Sequence, residues 1–429
     1  MAHPDGSRAA LSSTRGRRAV LVTALLALVA KLALAASTGG TQDLGAWKAF
    51  AKGVREQGPV GVYAIDFSTR DVTQYNHPPL VGYLLEALAA LERVGVPLQF
   101  SLRATAAISD VVCALVLFEI LRRRKSVGAA TVAGVALAAS PILLLVAGYH
   151  GNTDPLMMLL LWLGTYLVVD RRMAAVGGIA LALAISVKLA PIVALPTLAA
   201  WLLGRRDLRL LLRAAAGFVV TIGIVWGPAI VSQWDGVRTN VLGYAGVGDR
   251  PWGLVKMMDA FNLPTMSAWL IGPGRYLILL ICAFVPAVLV WRRPGAAMEC
   301  VALSLIAFLV LSPAFGVQYL AWAAAATLIL RARVALAYNI LGGLFLFAVY
   351  ADWNHGLDWS GTANGQPFRP IEAIAGVGLW AILVAVVFIG LRRVLAAEGT
   401  GGAQSHLRPL VGSAFAAGPK AGSSSGSGA

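Results

Sequence analysis

Apolar and polar positions alternate along this chain in long blocks. A polar tail, residues 1–18, carries Arg8, Arg15, Arg17 and Arg18, and residues 19–36 form an apolar run about long enough to cross a bilayer core. Residues 37–79 are polar and hold Asp43, Asp66, Asp71 and His77. The next apolar stretch, residues 80–93, is short: as a helix it is about 21 Å long, under a hydrocarbon core of about 30 Å, and it carries Glu86, Glu92 and Arg93. It reads as a helix lying along the membrane interface. Further runs at 102–121, 132–147, 156–169, 174–187, 191–203, 211–230, 276–290, 298–311, 319–330, 334–350 and 371–391 complete twelve spans, with both termini inside. Several runs are short, which predicts tilted or broken helices around a cavity.

Charge tests that count. With residues 80–93 on the surface, every Arg pair falls on the inner side: Arg122-Arg123-Arg124, Arg171-Arg172, Arg205-Arg206, Arg292-Arg293 and Arg392-Arg393. Counting 80–93 as a span would throw all but the first cluster outside. The same parity places Asp43, His77, the stretch from Gly148 through His150, Asn152 and Asp154, residues 232–275, Gln318, and the stretch from Asp352 to His355 on the outer face. One outward-facing site is the expectation. The domain plan is a cytoplasmic tail (1–18), a transmembrane domain (19–392) with outer segments at 37–100, 232–275 and 351–370, and a Gly/Ser/Ala-rich tail (393–429). The tail is expected to be disordered, and its last residues, 423–429, read as an artificial remnant. The Ala33-Leu34-Ala35 ending of the first run also fits a cleaved signal peptide, the alternative to a retained anchor.

Composition agrees with the pattern. The chain is 58% hydrophobic and only 13% charged, with a mean hydropathy of +0.75, whereas soluble domains are about 25% charged. The net charge of +15 is accounted for by the inner-side clusters, which removes the case for a nucleic-acid partner. Cys113, Cys282 and Cys300 lie in or beside apolar runs without metal-ligand spacing and read as small core residues. Charged groups inside spans are costly and face a cavity or a partner. Arg103 and Asp110, seven apart on one helix face, either pack helices or serve function; Lys188, before Pro191, either snorkels or holds a phosphate.

Several stretches together resemble a family. Tyr75-Asn76-His77-Pro78-Pro79-Leu80 is similar to an aromatic-Pro-Pro-Leu segment, with His77 where Tyr is common. Residues 148–154 are similar to a Gly/His-rich turn opening the fourth span, and Ser312-Pro313 with Gln318-Tyr319-Leu320-Ala321-Trp322 is similar to a late Pro, Gln-Tyr, Trp signature. In this order the chain resembles the multi-spanning GT-C glycosyltransferases that use dolichyl- or polyprenyl-phosphate sugars, bacterial mannosyltransferases among them. The resemblance implies an all-α polytopic GT-C fold of about twelve transmembrane helices, with membrane-parallel helices in the first outer loop.

It also implies an inverting transfer at the outer face of the plasma membrane, from a polyprenyl-phosphate sugar to a glycolipid or glycan hydroxyl. Mannose is the family's prior, with glucose and arabinofuranose as alternatives. Asp43 matches the position of the family's catalytic carboxylate; Arg250 and Lys188 are the candidates for the donor phosphate; Tyr75, His77, His150, Asn152, Asp154, Gln318, Tyr319 and His355 would line the sugar and acceptor pocket. Asp154, just before Pro155, also reads as a helix N-cap, and Trp252, Trp353 and Trp359 as sugar-stacking or interfacial aromatics. Asp43 lacks an acidic neighbour and no Asp-x-Asp motif occurs, so no cofactor and no metal are expected. A transporter or lipid-linked-sugar flippase is the alternative reading, though the two halves show no evident similarity.

Overall fold

A computed structural model describes residues 4–396 apart from 71, 245 and 247–250. The chain-order helices are α1 (Pro4–Ser37), α2 (Asp43–Gly61), α3 (Pro79–Arg93), α4 (Leu98–Leu121), α5 (Val127–Ala138), α6 (Pro141–Leu145), α7 (Asp154–Val169), α8 (Ala174–Val187), α9 (Leu195–Gly204) and α10 (Leu208–Ser232). After the single turn α11 (Trp234–Gly236) come α12 (Leu254–Ala260), α13 (Pro264–Ile271), α14 (Gly274–Arg292), α15 (Ala297–Leu311), α16 (Leu320–Leu330), α17 (Ala332–Trp353) and α18 (Pro370–Ala396). Among the described residues, eight helical stretches are long and apolar enough to span a membrane. Four shorter apolar ones, Asp154–Val169, Ala174–Val187, Ala190–Gly204 and Val317–Leu330, fall where the remaining runs were expected. The protein is an all-α, multi-pass membrane protein.

The short helix α16 lies inside. Every residue of α16 is buried, and its run Ala323 to Ala326 lets neighbouring helices approach closely. Its buried C-terminal carbonyls are met by cations: Lys125 donates to the carbonyl of Ile329 at 3.0 Å, and Arg393 to that of Leu330. Such partners satisfy the orphan acceptors of a helix end and suit its negative dipole. The Arg-rich turns are likewise knit together, Arg17 and Arg122 to Glu119, Arg124 to Asp170, and Arg172 to Asp207. These pairs tie α1 to the end of α4, the end of α4 to that of α7, and the turn before α8 to the start of α10.

Between α1 and α4 the polar stretch folds largely as helix. Leu44, Trp47, Ala51 and Val54 make a buried stripe on α2, while Lys48, Lys52 and Arg55 face outward. The stripe was hidden among charged residues. A kink at Gly58 and Pro59 turns the chain, and the expected surface helix α3 packs against α2, with Arg55 paired to Glu92 at 2.8 Å. Arg103 and Asp110 do not pair with each other. Asp110 takes Lys31 of α1 at 2.6 Å, both side chains almost fully buried, and Arg103 donates to the hydroxyl and carbonyl of Thr38 at 3.1 Å. Both residues therefore fasten α1 to α4. The three cysteines are buried free thiols.

Candidate active site

The site starts from backbone held between two distant segments. Gly39 donates to the carbonyl of Trp359 at 2.9 Å, Ala363 to that of Gly40 at 2.8 Å and Gln42 to that of Ala363 at 2.8 Å. The Thr41 hydroxyl donates to the carbonyl of His150 at 3.2 Å. Asp43 then opens α2, where the positive end of the helix favours a carboxylate. Its Oδ2 lies 2.9 Å from Nε2 of His150. The Asp43 side chain is 42% exposed and that of His150 only 3%, so the carboxylate is anchored on one side and open on the other.

His150 ends a π-helical turn, Val146–His150, that continues α6; such turns are frequent at functional sites. Its Nδ1 lies 3.0 Å from the hydroxyl of Tyr350, which is fully buried near the end of α17. The adjacent Tyr149 hydroxyl takes a hydrogen bond from Asn354, and its ring packs on Trp359 with centroids 4.5 Å apart. Gly151 follows at φ +78°; a methyl there would stand 2.5 Å from Leu44 Cδ2 and 3.1 Å from Arg103 Cγ. Gly151→Ala is expected to cost about 1–2 kcal/mol for the left-handed backbone alone, with further loss from overlap and from displacement of His150. Gly45→Ala, where the added methyl meets nothing within 4 Å, is the control. Thermal unfolding and sugar transfer are both expected to fall in the first variant and hold in the second.

A second charged group stands opposite. The chain leaves helix at Lys188, which is extended and caps α8. Its Nζ lies 2.5 Å from Oδ1 of Asp154, a fully buried carboxylate at the start of α7. Asn152 donates to the other Asp154 oxygen at 3.1 Å and accepts from its amide at 2.5 Å. Asp154 is not the N-cap expected from Pro155; Thr153 takes that place and makes no side-chain cap bond. Lys188 also lies over the rings of Tyr319 and Trp322, at 4.5 and 5.3 Å. The indole nitrogen of Trp322 is buried without a hydrogen-bond partner.

His77 stacks on Trp47 with centroids 4.3 Å apart. Burial, helped by the charge of Lys188 and opposed by that of Asp43, pushes His77 down to about 3, so it is neutral at physiological pH. Burial pushes the Asp43 carboxyl up, but the hydrogen bond from His150, helped by the positive charge of Lys188, outweighs it and holds the group below the usual carboxylate range. Tyr244, hydrogen-bonded to Asn76, is raised to about 12 by burial, with Tyr319, Lys188 and Asp43 also acting on it.

The structure thus brings Asp43, His150, Lys188, Asp154, Asn152, His77 and Tyr319 together. Tyr75 is buried in an aromatic cage with Tyr63, Phe50 and His77, its hydroxyl unpartnered. The Gln318 amide folds back over Gly316. His355 is exposed at a left-handed position, φ +57°. Arg250 and residues 397–429 lie outside the described residues. Trp353 donates to the carbonyl of Gln366, and Trp252 is buried against Phe315. Tyr350, Trp47, Tyr149 and Tyr244 carry no signal in the sequence that singles them out for the site. Among the described residues no group of three or more metal-ligating side chains converges.

Residues 76–232 match the family model described as dolichyl-phosphate-mannose-protein mannosyltransferase. The matched segment contains His77, His150, Asp154 and Lys188; Asp43 and Tyr350 lie outside it. No curated protein matches the chain.

Proposed function

We propose, for an all-α, multi-pass chain of the GT-C glycosyltransferase type, that it moves mannose from a polyprenyl-phosphate carrier to a hydroxyl of a glycolipid or glycan. The reaction occurs at the outer face of the plasma membrane, with inversion. The observation that carries this reading is Asp43: a carboxylate open on one side, anchored by His150 on the other, and facing a lysine-bearing wall. The acceptor oxygen attacks the anomeric carbon and the bond from that carbon to the phosphate oxygen breaks. Its electron pair leaves with polyprenyl phosphate, and the acceptor proton passes to Asp43.

Lys188 offsets charge at the departing phosphate, with Arg250 as its partner in that role. Because Lys188 is already paired, Asp154 and Asn152 serve the donor by fixing its ammonium group. His77 on Trp47, with Tyr319, forms the aromatic wall for the sugar, and Trp322 offers a free donor. A mainly apolar crevice of about 400 Å³ between α17 and α18, lined by Leu341, Leu344, Phe345, Leu379 and Ile382 together with Glu372, suits a prenyl chain.

The test is transfer of label from polyprenyl-phosphate mannose to a membrane-lipid extract by the purified protein, with the product's anomeric configuration read by NMR. Inversion is expected; retention would contradict direct displacement. A lipid-monophosphate leaving group does not require a metal, so a chelator is expected to leave the rate unchanged; loss restored by magnesium or manganese would show the opposite. The pH–rate profile checks the base. Since Asp43 is held below the ordinary carboxylate range, its basic form persists as pH falls. The rate should stay level from neutrality to about pH 5 and drop only near or below the ordinary aspartate value of about 3.9.

A further inference from the structure

We propose that His150 is a positioning residue for Asp43, its ring held from behind by Tyr350, so that one carboxylate oxygen is committed to the protein and the other is left for the acceptor hydroxyl. This rests on the reading of Asp43 as the base. The geometry is a chain of two hydrogen bonds, from Tyr350 Oη to His150 Nδ1 at 3.0 Å and from His150 Nε2 to Asp43 Oδ2 at 2.9 Å. An ionised carboxylate only accepts, so Nε2 must carry the hydrogen. In the neutral ring Nδ1 is then the acceptor, and the phenol hydroxyl is its donor.

The surroundings leave the ring no other orientation. Its backbone carbonyl takes the Thr41 hydroxyl, and its side chain is 3% exposed. Tyr350 is at 0% exposure, and the end of its helix is tied to the same π turn, because Asn354 bonds both the Tyr350 carbonyl and the Tyr149 hydroxyl. The groups facing Asp43 from the packed elements are His150, Lys188, His77, Tyr244, Tyr319 and Tyr350. Of these, His150 alone bonds the carboxylate among the described residues. With Oδ2 so occupied, Oδ1 is the oxygen left for the acceptor hydroxyl. His150 acts through Asp43 and does not touch substrate.

The test compares His150→Ala, His150→Gln and Tyr350→Phe with wild type, reading kcat, KM and the acid limb of the pH–rate profile. His150→Ala removes the donor, so kcat should fall about 10- to 100-fold, part of a general base's full contribution, and the acid limb should move to higher pH. Gln presents an amide N–H near the place of Nε2 and should restore most of kcat and the wild-type limb. Tyr350→Phe removes the partner of Nδ1, loosens the ring and should lower kcat several-fold with KM unchanged. Histidine ¹⁵N spectra, assigned with His150→Gln, should show a protonated Nε2 in wild type and in Tyr350→Phe, with the Nδ1 resonance shifted in the variant by loss of its hydrogen bond. A folded His150→Ala with an unmoved acid limb would overturn the proposal; if that variant does not fold, an unchanged ¹⁵N spectrum in Tyr350→Phe would do so. Absence of transfer by wild type, or full transfer by Asp43→Asn, would instead sink the parent reading.

Discussion

Asp43→Asn is expected to abolish sugar transfer by a factor of about 10²–10⁴ while the protein stays folded. The substitution keeps the size of the side chain and an oxygen that accepts from His150 Nε2, so the anchoring geometry survives. What is lost is the capacity to take a proton, which the acceptor hydroxyl must surrender as it attacks. Wild-type unfolding temperature with lost transfer is therefore the signature of a base. Asp66→Asn is the matched control. That carboxylate lies in the same outer stretch but is engaged with Ser68 and Gln74, and its loss should leave transfer unchanged. Equal transfer by wild type and Asp43→Asn would remove Asp43 from the chemistry.

The largest expected effect on stability lies at the Lys31–Asp110 pair. The two side chains are 2% and 4% exposed and 2.6 Å apart, joining α1 to α4. Removing one partner strands a charge in an apolar interior, at a cost of about 3–5 kcal/mol. Lys31→Met and Asp110→Leu should each lower stability by that amount in detergent. The double variant should recover most of it, because neither charge is then left alone. Additive losses would show that the pair contributes as two independent contacts. Stability curves for the two single variants and the double variant supply the comparison.

The membrane architecture was legible because lipid-facing and core-facing positions are both apolar, so a span is a continuous run and needs no periodicity to be seen. Arg clusters at alternate ends carried the expectation of twelve spans. Asp43 and His150 stood out as titratable groups at the ends of such runs. Other features left little trace. The stripe of α2 was masked by Lys48, Lys52 and Arg55, so a helix looked like a loop. Tyr350, near the end of a span, reads like any interfacial aromatic until His150 is seen beside it. The spacing of Arg103 and Asp110 correctly put them on one face, but their partners Thr38 and Lys31 sit on another helix or its end, far away in sequence. Lys31 was a single charge inside the first apolar run, and its meaning depends on that long-range packing.

On the proposed function, this chain breaks the donor's sugar bond at the outer face. The most direct measurement reconstitutes the purified protein in vesicles with doubly labelled polyprenyl-phosphate mannose and an acceptor-lipid extract. It follows the fate of both labels. Parallel appearance of free polyprenyl phosphate and a new mannosylated lipid is the predicted result. Intact donor that changes leaflet with neither product formed would contradict it and identify a carrier of lipid-linked sugar.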